Sequence, residues 1–275
     1  MLKRGHEIRD RRVGGFAWRE CEQPVVELPA MLLLHGLGGS RISWESQLGC
    51  LGDRVHLLAW DMPGYGESDP LPGTTTFPAL AESVLSFADV AGVSSFHLVG
   101  LSLGGMIAQY VAALRPQRLC SLTLLATSPK FGLDGTDPVS WRAARLAPLD
   151  AGLEPSDFAD RVLGALAGPN ITEAALAQQR AAMTRISGAA LRRVVDCLVT
   201  HDSTSILSQI TAPTRCVVGA LDTETPPEYA QEIAKRISVA RVDVIPGAGH
   251  LLNAEAPEAI NAILLEQVEQ VGQNR

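Results

Sequence analysis

Short apolar runs alternate along the chain with segments of helical periodicity. Such runs, rich in Val and Leu and bounded by turn-forming residues, are typical of strands buried on both faces of a parallel sheet. Six of them occupy residues 30–36, 54–60, 96–102, 122–127, 215–220 and 242–247. The pattern therefore predicts an α/β fold, in which helices cover both faces of a mostly parallel sheet.

Two helices can be placed by apolar residues that recur every three or four positions. The first stripe consists of Phe77, Leu80, Ala81, Val84, Ala88 and Ala91, and the second of Ile260, Ile263, Leu264, Val268 and Val271. Pro257 fits the first position of the second helix. Near the amino end, Gly14 and Gly15 separate two short extended stretches. These stretches predict an antiparallel hairpin at the edge of the sheet.

The rhythm changes in residues 130–212, where Ala, Leu, Arg and Gln dominate and no Val-rich run occurs. Breaks are expected at Pro148, Pro155 and Gly168-Pro169. Four or five short helices are therefore predicted. Because strand-like runs resume afterwards, this segment is interpreted as an insertion over the sheet and is called the cap. The predicted core comprises residues 1–129 and 213–275.

Composition narrows the class of protein. The 275 residues are 46% hydrophobic and 19% charged, which predicts a globular chain that can bury a large core. With 23 Lys and Arg against 30 Asp and Glu, the formal net charge of −7 argues against a nucleic-acid partner. The charged amino terminus and the lack of a run of about 18 apolar residues predict a soluble, cytoplasmic protein without a membrane partner.

The sharpest local motif is a GxSxG sequence at residues 100–104. It follows an apolar, strand-like run and precedes a helix-like segment, which makes it more specific than the bare string. In a tight turn between strand and helix, glycine on either side of Ser102 would remove colliding Cβ atoms and leave the hydroxyl exposed above the sheet. Ser102 is therefore the predicted nucleophile.

A serine nucleophile requires a base, and the base requires a group that orients it. Asp222 and His250 each follow a predicted strand, so they should reach the same rim of a parallel sheet as Ser102. His250 is the predicted base and Asp222 the predicted acid. Glu224 stays open as an alternative acid, and His201, in the cap, as a residue that could touch substrate.

The other histidines are expected to have structural roles, in packing or hydrogen bonding. They are His6, His35, His56 and His97. No metal ion is predicted, because the histidines and carboxylates show no HExxH or comparable ligand spacing. The five cysteines form no CxxC pair, and the glycine-rich stretch near Ser102 does not have the spacing of a dinucleotide site. No cofactor is predicted.

With these motifs in place, the sequence resembles the α/β-hydrolase family. HGLGG at residues 35–39 is similar to the oxyanion loop of that family, and DMPGYGES at residues 61–68 is similar to its D-x-P-G-x-G-x-S loop. The chain order of serine, acid and histidine also matches. The resemblance implies the α/β-hydrolase fold with an eight-stranded sheet and a helical cap insertion. It also implies an oxyanion hole formed by the backbone amides of Leu37 and Leu103.

The substrate should bind between the Ser102 rim and the cap. Candidate lining residues are Met106, Trp141, Leu251 and Arg142, with Arg145 as a possible second half of an arginine clamp. The motifs look most like those of 3-oxoadipate enol-lactonases and small carboxylesterases. This resemblance implies hydrolysis of carboxylic esters or lactones through an acyl-enzyme.

Other activities remain open on the same fold. C–C bond hydrolases of aromatic degradation and cofactor-free haloperoxidases or perhydrolases share the core motifs. A ligand receptor that does not catalyse a reaction is an alternative of another class. The natural substrate, the acyl-chain preference and the oligomeric state are not predicted by the sequence.

Overall fold

An eight-stranded sheet forms the centre of the structure, a computed structural model that describes residues 7–21 and 29–273. Its strands are β1 (Ile8–Val13), β2 (Phe16–Cys21), β3 (Ala30–Leu34), β4 (Leu57–Trp60), β5 (Phe96–Leu101), β6 (Leu119–Leu125), β7 (Thr214–Gly219) and β8 (Ala240–Ile245). Their spatial order is β1-β2-β4-β3-β5-β6-β7-β8. Only the pairs β1–β2 and β2–β4 are antiparallel among these strands. The predicted mostly parallel sheet and the edge hairpin are confirmed.

The central strands are apolar because both of their faces are covered. Every residue of β3, β5 and β6 is buried. Leu32 and Leu34 of β3 pack into a large apolar cluster on one face. Met31 and Leu33 pack into a second cluster on the other face. At about 25 cal/mol per Å² of apolar surface removed from water, each such side chain stabilises the fold by roughly 2 kcal/mol.

Helices cover both faces of this sheet. They are α1 (Glu45–Leu51), α2 (Phe77–Val90), α3 (Leu103–Leu114), α4 (Pro138–Asp150), α5 (Pro155–Leu166), α6 (Glu173–Met183), α7 (Gly188–Leu198), α8 (Pro227–Ala234), α9 (Leu252–Glu255) and α10 (Pro257–Gln273). The helices α2 and α3 contribute to the first apolar cluster, whereas α1 and α10 contribute to the second. The two stripes predicted from the sequence are the buried faces of α2 and α10, and Pro257 is the first residue of α10.

Residues 130–212, the cap, contain the helices α4 to α7. Pro155 begins α5, and Gly168-Pro169 lies between α5 and α6, as the sequence predicts. The break expected at Pro148 is wrong, because this proline lies inside α4. It occupies the last turn, where a missing N–H removes a single bond to the carbonyl of Ala144. Ala144 is exposed, so its carbonyl oxygen can reach solvent.

The parallel strands direct their carboxyl ends to one edge of the sheet, where three loops meet. Ser102 follows β5, Asp222 follows β7 and His250 follows β8. This is the edge at which ligands bind in open α/β sheets. No helix in the part of the chain that the structure describes is long and apolar enough to cross a membrane.

Candidate active site

Ser102 lies in a strained turn between β5 and α3. Its φ of 53° falls in the left-handed region that side chains other than glycine rarely adopt. The backbone is held there by hydrogen bonds. The Ser102 amide donates to the Leu125 carbonyl (2.8 Å), and the Ser102 carbonyl accepts from Thr127 Oγ1 (2.7 Å) and from the Met106 amide (3.0 Å). These bonds fix the turn without using the Ser102 hydroxyl.

The glycines beside Ser102 are required by close backbone contacts. A Cβ atom at Gly100 would lie 2.3 Å from the Gly104 carbonyl oxygen. A Cβ atom at Gly104 would lie 2.2 Å from the Leu34 carbonyl oxygen. Neither distance is possible for a real side chain, so α3 can begin this close to β3 and β5 only with glycine at both positions. The collisions inferred from the GxSxG motif are therefore present in the structure.

The Asp222 and His250 side chains are hydrogen-bonded to each other. Asp222 Oδ2 lies 2.9 Å from His250 Nδ1, and it also accepts a bond from Thr225 Oγ1 (2.8 Å). The second oxygen, Oδ1, accepts from the amides of Glu224 and Thr225, both at 2.9 Å. The Asp222 carboxylate is therefore saturated with donors, and one of them is the imidazole.

The hydrogen bond also changes the protonation of both partners. Burial alone would raise the pKa of Asp222, but the bond to His250, its charge and the bonds from Thr225 hold that pKa below its usual value. Burial alone would lower the pKa of His250, but the bond to Asp222 and the negative charges of Asp222, Glu224 and Glu255 raise it above the usual 6.5. Asp222 is thus ionised across the neutral range, where it stabilises a charged imidazole.

Ser102 and His250 line the same two cavities, of about 280 Å³ and 50 Å³. Among the described residues, no hydrogen bond joins the Ser102 hydroxyl to the imidazole. Catalytic hydrogen bonds are often long before substrate binds and tighten in the complex. The structure therefore brings the three predicted side chains to one site, with the acid and the base in direct contact and the hydroxyl beside them.

The amides of Leu37 and Leu103, which are predicted to be oxyanion donors, belong to two segments that lie against Ser102. Leu103 is the first residue of α3, so its amide has no partner within that helix. For neither amide is a hydrogen-bond partner found among residues 7–21 and 29–273. A Cβ atom at Gly36, next to Leu37, would lie 3.3 Å from the Ser102 Cβ, which places the HGLGG loop directly against the serine.

The predicted pocket residues divide between the two cavities. Met106 and Trp141 line the larger one together with Leu37, and Leu251 lines the smaller one. Arg142 is absent from the described residues that line either cavity. Its Nε donates instead to Asp196 at 2.6 Å, on the exposed surface of the cap.

Arg145, and not Arg142, lies at the cavity wall. It lines the larger of the two cavities at Ser102 and also a third, mostly apolar cavity of about 580 Å³ between cap helices. Its guanidinium donates to both carboxylate oxygens of Glu224, at 2.9 and 3.1 Å, and lies 4.9 Å from the Trp141 ring centre. Leu37 and Val162 line both of these cavities as well, so the apolar cavity borders the catalytic site.

Glu224, the alternative acid, and His201, the cap residue considered for substrate contact, both have structural partners. Glu224 faces Arg145 and reaches Asp222 only through its backbone amide. His201 is buried, with Nε2 at 2.9 Å from the Ser128 carbonyl oxygen and its ring 4.7 Å from that of Phe77. Burial lowers the pKa of His201 to about 4, so this ring is neutral.

Two of the remaining histidines form hydrogen bonds. His35 Nε2 accepts from the Met62 amide (3.0 Å), and His97 Nδ1 lies 2.7 Å from Ser121 Oγ. The expectation that His56 lies inside a strand is wrong, because β4 begins one residue later. His6 lies outside the described residues.

Sequence reasoning did not single out Glu255, whose buried carboxylate accepts hydrogen bonds from the amides on both sides of His250. A carboxylate inside the apolar stretch that follows His250 was the available signal. Within the described part of the chain, no group of three or more His, Cys, Asp or Glu side chains is arranged to hold a metal ion.

Comparisons with known proteins identify the family of the chain. The sequence matches the model of the alpha/beta hydrolase family over residues 31–263. It is 28% identical, over 86% of its length, to the dihydrolipoyllysine-residue acetyltransferase component of the acetoin cleaving system of Pseudomonas putida, but it spans only 62% of that relative. It is 26% identical to 3-oxoadipate enol-lactonase 1 of Acinetobacter baylyi, over 84% of this chain and 85% of the relative.

A solved structure is similar over most of both chains. It is the crystal structure of a hydrolase from Pseudomonas aeruginosa PA01, with a TM-score of 0.81 and 28% identity over 94% of this chain and 97% of that one. The three proteins carry different names, an acetyltransferase component, a lactonase and a hydrolase. Their common feature is therefore the fold and its family, and not one substrate.

Proposed function

The chain belongs to the alpha/beta hydrolase family, and on this premise we propose that it hydrolyses carboxylic esters or lactones with Ser102 as the nucleophile. The family and the named lactonase and hydrolase relatives support hydrolase activity. The resemblance to enol-lactonases expected from the motifs is confirmed at this level of identity. We assign the residue roles and the cleaved bond from the geometry of the site.

In the first half of the reaction, His250 Nε2 accepts the proton of Ser102 Oγ while the oxygen attacks the substrate carbonyl carbon. The carbonyl π electrons move to oxygen, and the Leu37 and Leu103 amides donate hydrogen bonds to the resulting oxyanion. Each such donor contributes about 3 kcal/mol to stabilisation of the transition state. When the oxyanion collapses, the bond to the leaving oxygen breaks and His250 returns the proton to it.

In the second half, water replaces the alcohol. His250 takes one proton from water, and the remaining hydroxide attacks the acyl carbon. The acid is released, and the proton on His250 passes back to Ser102 Oγ. In a lactone the leaving alcohol stays tethered to the acyl group, and the same steps open the ring. Throughout the cycle Asp222 holds Nδ1 and stabilises the imidazolium.

The observation that carries the proposal is the 2.9 Å bond between Asp222 and His250, at the same cavity as a serine whose backbone is held at a φ of 53°. A strained serine at the end of a strand, beside a base with a carboxylate partner, is the arrangement of an activated nucleophile. We also propose that residues 1–129 and 213–275 form the core and 130–212 the cap. Both contribute side chains to the larger catalytic cavity.

The test uses p-nitrophenyl butyrate with the wild-type protein and Ser102→Ala. We expect a burst of nitrophenol followed by steady turnover in the wild type, and neither in the variant. Ser205→Ala, at an exposed serine in the cap, is the matched control and should keep full activity. If the wild type shows no turnover while Ser102→Ala binds the ester equally well, the protein is a binding module and the proposal fails.

A further inference from the structure

Glu255, the last residue of α9, presents a buried carboxylate to three backbone amides. Its Oε2 accepts from Gly249 at 2.7 Å and from Gly168 at 2.9 Å, and its Oε1 accepts from Leu251 at 2.8 Å. Gly249 and Leu251 flank the proposed base, whereas Gly168 belongs to the cap. One side chain therefore joins the loop of His250 to the connection between α5 and α6.

The two backbones are also in direct contact. The His250 amide donates to the carbonyl oxygen of Leu166, the last residue of α5, at 3.1 Å. A Cβ atom at Gly249 would lie 2.7 Å from the Gly168 nitrogen, and a Cβ atom at Gly168 would lie 2.3 Å from Glu255 Oε2. The approach is closer than any side chain would permit, so the base loop and the end of α5 form one packed unit.

A buried carboxylate is costly unless it is paired or well hydrogen-bonded. In the part of the chain described by the structure, no Lys or Arg forms an ion pair with Glu255. Its partners are the three amides, and an anionic acceptor makes shorter and stronger bonds with N–H groups than a neutral one does. Replacement by an apolar side chain would leave three buried amides without an acceptor.

We propose that Glu255 is a positioning residue, which fixes the His250 loop and makes its geometry depend on the seating of residues 166–168 of the cap. The inference rests on the proposed function of His250 as the base. It assigns to the cap a role in assembling the catalytic residues, in addition to enclosing the substrate. Displacement of the α5 end would break the bonds from Gly168 to Glu255 and from His250 to Leu166 together.

The charge of Glu255 gives the proposal a second observable. Burial lowers the pKa of His250 and the contact with Asp222 more than offsets this, while the charges of Glu224 and Glu255 raise the pKa further. Arg145 faces Glu224 from the cap. The other titratable groups at the same cavity are Lys130, Asp134 and Tyr229. Loss of the Glu255 charge should therefore lower the pKa of His250. A loss of packing elsewhere in the protein would leave this pKa unchanged.

The experiment compares Glu255→Gln with wild type and with Glu258→Gln, an exposed glutamate in the first turn of α10. Glutamine has a similar shape and no charge. Its NH₂ group would face a backbone N–H that donates to the carboxylate in the wild type, and that N–H would lose its acceptor. Active sites are counted with a fluorophosphonate so that rates refer to folded enzyme. Misplacement of a base by about 1 Å can cost ~100-fold. We therefore expect kcat per site to fall about 10- to 100-fold in Glu255→Gln.

The pH profile of kcat/KM distinguishes positioning from general damage. In Glu255→Gln its acid limb should move to lower pH, and in Glu258→Gln it should stay with the wild type. Glu255→Asp keeps the charge but is too short to reach all three amides, so its kcat should fall while its acid limb moves less than in Glu255→Gln. If Glu255→Gln does not fold, kcat and the acid limb of Glu255→Asp are compared with those of the wild type instead.

Wild-type kcat per site in Glu255→Gln would overturn the inference, and so would a reduced kcat with an acid limb that does not move. Failure of the proposed function looks different, because the wild-type enzyme itself would then not be labelled at Ser102 by the fluorophosphonate. That result would overturn both proposals, whereas normal wild-type labelling with an unaffected Glu255→Gln would overturn this one alone.

Discussion

The loops that carry the candidate catalytic residues are built differently from the cap helix above them. The backbone of Ser102 is fixed by three hydrogen bonds, one of them from the Thr127 side chain, and by glycines that no other residue could replace. In α4, by contrast, Leu146 is the one fully buried residue, and Arg142 and Arg145 are held by partly exposed ion pairs. The core loops therefore tolerate little change, whereas the cavity-facing surface of α4 can vary without loss of the fold.

This contrast suggests different roles for the loops at the sheet edge and for the cap. Under the proposed function, the loops at the sheet edge would determine which bond can be broken, because the sheet sets the positions of the Ser102 hydroxyl, the His250 imidazole and the Asp222 carboxylate. The cap would select which substrate reaches these loops, through side chains that border the larger Ser102 cavity and the apolar cavity. Changes in the core loops should therefore reduce kcat for every substrate, and changes in the cap should alter preference among substrates.

The largest effect is expected for Asp222→Asn, which should keep the fold but lower kcat by about 10⁴-fold. The amide cannot stabilise the imidazolium, and it favours the wrong tautomer of His250. Steady-state kinetics with p-nitrophenyl butyrate measure the loss. Glu224→Gln is the neighbouring comparison and should cost far less. If Glu224→Gln proved more damaging than Asp222→Asn, the assignment of the acid would be wrong.

The second largest effect is expected for the dependence of kcat/KM on pH. Only the neutral imidazole can accept the Ser102 proton, and the contact with Asp222 raises the pKa of His250 in spite of its burial. The kcat/KM value should therefore fall about tenfold per pH unit as pH decreases below that pKa, with the inflection above 6.5. The measurement is kcat/KM between pH 5 and 8. A profile that is flat across this range would contradict the role of His250.

The role of the cap in substrate preference is tested by placing a larger side chain where the three cavities meet. Val162 lines all three cavities, so Val162→Phe should obstruct passage into the apolar one. With each buried CH₂ contributing about 0.8 kcal/mol, long acyl chains should lose about tenfold in kcat/KM while acetate changes little. Octanoate and acetate esters of p-nitrophenol measure this ratio. Val139→Phe, on the exposed surface of α4, is the control.

An equal loss for both esters in Val162→Phe would indicate damage to the catalytic residues. An unchanged ratio would show that the apolar cavity does not receive the acyl chain. Either result would remove the distinction between a core that performs the chemistry and a cap that selects the substrate.

The smallest effects are expected for the two arginines of α4. Both form partly exposed ion pairs, so Arg142→Gln and Arg145→Gln should each change the free energy of unfolding by less than about 1 kcal/mol. Only Arg145 borders the catalytic cavity. We therefore expect KM for an ester that carries a free carboxylate to rise about threefold to tenfold in Arg145→Gln and to stay constant in Arg142→Gln. A rise in KM in Arg142→Gln alone would contradict the placement of Arg145, and not Arg142, at the cavity.

The core could be predicted from the sequence because its physical constraints leave local traces. Strands buried on both faces must be largely apolar, as β3 is throughout and β5 is apart from His97, whose ring is hydrogen-bonded to Ser121. The turn at Ser102 requires glycine at fixed positions, so GxSxG marks it directly. Because parallel strands share one edge, the convergence of distant loops could also be inferred.

The cap was less accessible for equally physical reasons. Arg142 and Arg145 are three residues apart on one helix, and only tertiary packing decides which of them faces the cavity. Pro148 is tolerated because it lies in the last turn of α4. The helix ends shortly before Gly152, whose φ of 83° is left-handed, and this glycine was the stop signal that the prediction of a break at Pro148 missed. Glu255 bonds to backbone amides, one of them 87 positions away, and amides carry no residue-type signal.

The most direct test of the account is to locate the acyl group during turnover. Wild-type enzyme mixed with p-nitrophenyl butyrate is quenched in acid within the burst and digested, and its peptides are mapped by mass spectrometry. The account predicts a butyryl group on the Ser102 hydroxyl, in an amount that matches the nitrophenol burst. A butyryl group on another residue, or turnover with an unmodified Ser102 peptide throughout the burst, would contradict it.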